Sequence, residues 1–200
     1  MSVNISTKNK KLGEQIHSLS MPKGITCAAG VPCAAKCYAG KGHFIYGNVK
    51  QAFMHNLEEY RKDPRGFFDE VAEKSKLCLF FRWHVSGDIV DERYFDGMCK
   101  VARKNKNTHY LAFTKKFALV NDYIAQGHNV PKNLHIVFSA WGPNFPVPNP
   151  NNFPVSYVRF KDKALNHTIP STAIPCGGRC YDCLACWQLR KGQTIVFNEH

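Results

Sequence analysis

The 200 residues are 44% apolar, enough for one sizeable core, and the length is that of an ordinary single domain. No stretch approaches the roughly 18 uninterrupted apolar residues of a membrane helix, and residues 1–11 are polar with no apolar run behind them. Neither a membrane partner nor a secretory leader is expected, and the chain is assigned to the cytoplasm. The net charge of +12, from 27 Lys and Arg against 15 Asp and Glu, suits a polyanionic partner such as nucleic acid. The basic residues are scattered, with the densest groups at Lys8, Lys10 and Lys11 and at Arg103, Lys104 and Lys106, so a solvated basic surface is the alternative.

Residues 1–47 form a Cys- and Gly-rich entry segment in which Gly24, Gly30, Pro32, Gly40, Gly42 and Gly47 interrupt any periodicity, so an irregular ligand-binding loop is expected. Val49, Phe53, Leu57 and Tyr60 recur at helical spacing over 48–61, and Pro64 opens a second helix to about residue 76. The Leu-, Phe- and Trp-rich run 77–85, ending at Ser86-Gly87-Asp88, reads as a buried strand. A helix over 91–105, a strand over 108–114, a helix over 115–126 stopped by Gly127 and a strand over 134–139 follow. Residues 141–154 hold five prolines and four asparagines and make a loop, while 155–160 and 194–197 are further short strands. This alternation predicts an α/β fold, either a partial (β/α) barrel or an open, mostly parallel sheet, with functional residues at the strands' carboxyl ends. The organisation is one domain over 1–200: entry loop 1–47, β/α core 48–160 and Cys-rich tail 161–200.

Nine cysteines, an odd number at tight spacings, fit metal ligation better than a disulfide scaffold. In the tail, Cys176-x3-Cys180-x2-Cys183-x2-Cys186 places four thiols within eleven residues, with Gly177 and Gly178 easing the turn. Such a run wraps one polynuclear iron–sulfur centre as ferredoxin runs do. Zinc is the alternative, although structural zinc sites pair two separate Cys-x2-Cys arms and here the two units share Cys183. In the entry loop, Cys27-x5-Cys33-x3-Cys37 supplies three ligands. Two [4Fe–4S] cubes would take eight thiolates and these clusters offer seven, so one iron is left without cysteine, free to bind a small molecule, whether each run holds its own cube or one tail cysteine crosses to the N-terminal cube. Cys78 and Cys99 fall in a predicted strand and helix and are read as packing residues, with an eighth ligand as the alternative.

Arg82, His84, Ser86 and Asp88 alternate along the run 77–88 and so share one face if the strand continues through them. Arg82 suits a carboxylate or phosphate, and Asp88 an amine or ribose. Thr114, Lys115 and Lys116 end the next strand and Ser139 the third. Arg82, His84, Asp88 and Lys115 are therefore the catalytic candidates, and Ser86, Gly87, Asp88 and Ser139 the cofactor-binding ones. An internal hydrogen-bonded network is the bland alternative.

Taken in order, Cys27, Cys33 and Cys37-Tyr38-Ala39, then Arg82-Trp83-His84-Val85-Ser86-Gly87-Asp88, then Phe113-Thr114-Lys115, then Pro175-Cys176 through Cys186-Trp187, resemble the "gene product 88" family of phages and mobile elements. The resemblance covers nearly the whole chain. It implies the cysteine ligands and the fold, and no reaction. A looser resemblance links the chain to radical S-adenosylmethionine enzymes, in which an open-iron cluster sits in a β/α partial barrel. Ser86-Gly87-Asp88 would there take the place of the segment that holds the methionine amino group. Those enzymes carry Cys-x3-Cys-x2-Cys, whereas this chain has Cys33-x3-Cys37 with its third cysteine upstream at Cys27.

Two functional readings follow. In one, the chain is an enzyme with two [4Fe–4S] clusters, one with an open iron that binds a small-molecule cofactor such as S-adenosylmethionine. In the other, it is a nucleic-acid-binding module whose iron–sulfur or zinc sites staple loops while the +12 charge contacts phosphate.

Overall fold

The computed structural model describes residues 2–199. Its strands are β1 (Ile5–Ser6), β2 (Ile16–Leu19), β3 (Phe80–Trp83), β4 (His109–Thr114), β5 (Leu134–Ser139), β6 (Val155–Arg159), β7 (Ile174–Pro175) and β8 (Thr194–Asn198). They form one sheet in the order β1-β2-β3-β4-β5-β6-β8-β7. β1 runs antiparallel to β2, and every other neighbouring pair is parallel. The sheet is open, with β1 and β7 at its edges, so of the two architectures expected the open parallel sheet is the one adopted.

Four helices connect these strands: α1 (Gly47–Lys62), α2 (Pro64–Ser75), α3 (Glu92–Lys104) and α4 (Phe117–Ala125). Their ends follow capping chemistry. Asp63 accepts from the Gly66 N–H at 3.0 Å with Pro64 in the first turn, and Asp91 accepts from the Tyr94 N–H at 2.7 Å. Gly127, at φ +91°, follows the last turn of α4. The helices cover one sheet face, where Leu19, Phe81, Trp83, Tyr110, Ile136 and Phe138 meet Leu57, Phe67, Tyr94, Phe95, Met98 and Val120. Gly97 in α3 lies beneath Phe68, whose ring a Cβ would meet at 2.1 Å, so the two helices approach as closely as a glycine allows.

The opposite face carries the alternate strand residues Ile16, Leu111, Val137 and Ile195, packed against Leu12, Val85, Cys186, Trp187 and Leu189. The tail reaches this face through two four-residue helices, α5 (Cys180–Cys183) and α6 (Ala185–Gln188), joined at Leu184 in the left-handed region at φ +47°. The Trp187 indole donates to the His109 carbonyl at 3.1 Å and pins the tail across the start of β4. Parallel sheets are normally covered on both faces, and here four helices cover one while the cysteine-rich ends of the chain cover the other.

Two expectations are corrected. The entry segment is not irregular throughout: it holds β1 and β2, and β2 pairs with β3 from Ile16 opposite Phe80 to Leu19 opposite Trp83. The expected strand over 77–85 shrinks to Phe80–Trp83, with Leu77 and Leu79 mostly exposed. It ends because His84 takes φ +57°, outside the extended region.

Candidate functional site

Placing β2 beside β3 puts the cysteine loop at the carboxyl end of a parallel strand. The segments that follow β2, β3, β4, β5 and β8 then surround one cavity of about 530 Å³. Cys27, Cys33 and Cys37 line it from the first, Ser86, Gly87 and Asp88 from the second, Lys115 from the third, Ser139 and Trp141 from the fourth, and Glu199 from the last. Arg82 and Phe113 line it from within the sheet. The catalytic and cofactor-binding candidates are therefore brought together with the N-terminal thiols.

The cysteine loop and the Ser86-Gly87-Asp88 turn are locked together by Thr26. Its hydroxyl donates to the Pro22 carbonyl at 3.2 Å and accepts from the Asp88 N–H at 3.0 Å. The Met21 N–H donates to the Ser86 carbonyl at 2.9 Å, and the Tyr38 hydroxyl donates to the Val85 carbonyl. Gly87 stands at φ +78°, where a Cβ would fall 2.6 Å from Thr26 Oγ1 and 2.7 Å from the Met21 carbonyl oxygen. Only glycine fits that crossing.

Asp88 is buried, and its carboxylate accepts from the Ile89 N–H at 2.7 Å and the Lys115 N–H at 2.9 Å. Burial pushes its pKa up, against the opposing pull of these donors, the Thr114 hydroxyl and the Lys115 charge. Asp88 thereby ties the turn after β3 to the end of β4 while still lining the cavity. Lys115 reaches the Ser139 hydroxyl at 2.8 Å and lies over the Trp141 ring at 5.8 Å.

His84 departs from the expected row of polar side chains. Its left-handed backbone breaks the alternation, and the imidazole packs beside Trp83 and Tyr94, with Nε2 3.1 Å from the Tyr94 hydroxyl and Nδ1 buried without a partner. Burial depresses its pKa to about 3, with the Lys116 and Arg82 charges acting in the same direction. The imidazole is thus neutral and stands between the aromatic core and the cavity that His84 also lines.

All nine cysteines are free thiols. Cys27, Cys33 and Cys37 lie close enough that each added thiolate would disfavour the others; burial is the larger influence that raises Cys27 and Cys33, and the Lys115 charge opposes it at Cys33. The Gly24 N–H donates to Cys27 Sγ at 3.3 Å. In the tail, Gly178 N–H points to Cys176 Sγ at 3.4 Å and Ala185 N–H to Cys183 Sγ at 3.5 Å. Burial pushes the Cys186 thiol up to about 12 and also raises Cys180, and the Arg82 charge opposes both. Among the described residues no three His, Cys, Asp or Glu side chains converge on a point that would hold a single metal ion. Cys78 and Cys99 instead pack with the helix-side core, in keeping with their reading as packing residues.

The model of the Gene product 88 family matches residues 3–189, nearly the whole of this sheet and both thiol groups. The chain belongs to the Gene product 88 family. Among relatives of known source it is 30% identical over 165 residues to the Gene 88 protein of Mycobacterium phage L5, covering 75% of this chain and 64% of that one. It is 27% identical over 138 residues to the Gene 88 protein of Mycobacterium phage D29, covering 62% of this chain and 56% of that one. The chain thus spans less than two thirds of either relative. No solved structure matches it. Among the described residues no helix is long and apolar enough to cross a membrane.

For this Gene product 88 chain, sequence reasoning found the thiols and the strand-end residues but missed Thr26, Trp141 and Glu199. Thr26 is adjacent to Cys27, and that adjacency was the available signal. Glu199 carried none: its partners are the Lys36 ammonium at 3.0 Å and the Lys161 N–H at 2.9 Å, both far away in sequence.

Proposed function

We propose that this chain is a cytoplasmic iron–sulfur enzyme whose N-terminal thiols hold a [4Fe–4S] cluster at the cavity, with one iron free of cysteine, while the tail thiols hold a second cluster. The observation that carries the reading is the shared cavity: three cysteines of one loop face the carboxyl ends of a parallel sheet, where β/α folds collect their chemistry. The donor set fits. Burial makes bare thiolates unfavourable at Cys27, Cys33, Cys180 and Cys186, and a cationic centre with backbone N–H groups directed at sulfur compensates that cost. Cys27, Cys33 and Cys37 would hold one group and Cys176, Cys180, Cys183 and Cys186 the other. When bound, an open iron supplies a coordination position at which a small molecule such as S-adenosylmethionine can be held and reduced.

The chain's own residues define the surroundings of that position. The Thr26 and Gly87 crossing fixes the cysteine loop against the sheet, Asp88 holds the turn after β3 to β4, and Lys115 places a positive charge beside Cys33. A reducing compartment keeps such thiols free for ligation. In dithionite-reduced protein, adding S-adenosylmethionine should change the electron paramagnetic resonance spectrum of the N-terminal cluster and leave the tail cluster's signal unchanged. A spectrum indifferent to the cofactor would defeat the proposed open site.

A further inference from the structure

The cavity holds an arginine that no carboxylate pairs with among the described residues. Arg82 sits in β3 with its guanidinium carbon 4.9 Å from the centre of the Phe113 ring, and its Nε is buried with no hydrogen-bond partner. The acids that line the same cavity are Asp88 and Glu199. Asp88 is engaged by the N–H groups of Ile89 and Lys115, and Glu199 by Lys36 and the Lys161 N–H. Against them stand Lys11, Lys23, Lys41 and Lys115 in addition to Arg82 and Lys36, an excess of positive charge in a space of about 530 Å³. A guanidinium stacked on an aromatic ring and short of acceptors is a receptor for a planar or tetrahedral oxyanion.

The remaining lining indicates what carries that anion. Trp141, Phe113, Tyr38, Phe44 and Phe197 supply flat apolar surface, and Ser139, Ser156 and Asn198 supply hydrogen-bonding groups between them. The volume lies within the range of about 300–1,000 Å³ usual for small-molecule sites. We propose that the cavity binds a nucleotide, its phosphate on Arg82 and Lys115 and its base against the aromatic wall, as a free mononucleotide or as one unit of a single strand. Arg82 and Lys115 offer forked and point-charge donors, and aromatic faces accept any base by stacking. The inference rests on the proposed function only in making this ligand the substrate. The binding itself needs no metal.

The test is isothermal titration of the purified chain with uridine, cytidine and guanosine 5′-monophosphates, each against its nucleoside, and with a short single-stranded oligothymidylate. Adenine ligands are omitted so that the adenosyl part of S-adenosylmethionine does not enter the comparison. At least one monophosphate should bind tenfold or more tightly than its nucleoside, and Arg82→Gln should remove that advantage while circular dichroism stays unchanged. Should Arg82→Gln fail to fold, Lys115→Gln supplies the reading, with an expected loss of at least threefold for the monophosphate and none for the nucleoside. Tighter binding of the oligonucleotide, falling steeply with salt, identifies a strand as the source, and equal or weaker binding identifies the free nucleotide. Equal affinity for nucleotide and nucleoside, no binding by any probe, or unchanged affinity in the variant that folds overturns the proposal. Iron analysis of the same samples keeps the two ideas apart: nucleotide binding by a chain without iron retains this inference and removes the iron–sulfur reading.

Discussion

Acidification from pH 7 to pH 5 should cost about 2 kcal/mol of stability through His84 alone. The imidazole is buried against Tyr94 and Trp83, and burial depresses its pKa from 6.5 to about 3. Above pH 6.5 the ring is neutral in both folded and unfolded chains, so its full contribution is present. As pH falls, the unfolded chain takes up the proton first, and stability declines by about 1.4 kcal/mol per pH unit until the folded pKa is reached. The window between pH 6.5 and 5 lies above the range in which the carboxylates held low by lysines, such as Glu70, Glu73 and Asp96, begin to contribute. His135 and His17, also depressed by burial, act in the same direction, so the comparison must be made by substitution. His84→Asn removes the titration while tolerating the left-handed backbone, which asparagine adopts more readily than most residues. Urea unfolding at pH 7 and pH 5 should show a smaller decline for the variant. Equal declines would mean that the folded chain admits a charged ring at this position.

Gly87→Ala should cost about 3 kcal/mol or more and loosen the cysteine loop. The position combines φ +78° with approaches of 2.6 Å to Thr26 Oγ1, 2.7 Å to the Met21 carbonyl oxygen and 2.8 Å to the Met21 Cβ, and backbone cannot move aside as a flexible side chain can. Gly30→Ala provides the internal comparison. Gly30 also has positive φ, at +67°, yet nothing lies within 4 Å of its would-be Cβ. Its substitution should cost about 1 kcal/mol, the backbone contribution alone. Chemical denaturation of both variants separates crossing from conformation, and similar small losses in both would show that the turn after β3 is not locked to the loop.

These two residues also mark where sequence reading succeeds and where it stops. The β/α alternation was legible because its punctuation is local: Asp63-Pro64, Asp91 and Gly127 act within a few residues of the helix ends they define. β2 was not, since Ile16-His17-Ser18-Leu19 is too short to show a period and becomes a strand only through its parallel pairing with β3. Without β2, the cysteine loop had no place at the strand ends, although a common site with Ser86-Gly87-Asp88 could still be anticipated from the β/α pattern. The polar row from Arg82 to Asp88 assumed an unbroken strand, which the positive φ of His84 interrupts, although all four residues still line the one cavity. That Asp88 also ties the turn after β3 to β4 was not legible, because its donor, the Lys115 N–H, is 27 residues away and invisible to any local pattern. The tail folds as two short helices hinged at left-handed Leu184, an arrangement fixed by packing against the sheet rather than by helix propensity.

If both thiol groups hold iron–sulfur centres as proposed, anaerobic purification followed by iron, acid-labile sulfide and zinc analysis decides it. Iron and sulfide should appear in roughly equal amounts with little zinc. Cys33→Ser with Cys37→Ser should remove one share of the iron, and Cys180→Ser with Cys183→Ser the other together with a fall in thermal midpoint, because Cys180 packs within the cluster that covers the second sheet face and the bound centre would hold that segment together. Zinc without sulfide, or a metal content unchanged by either pair of substitutions, would exclude iron–sulfur centres at these thiols.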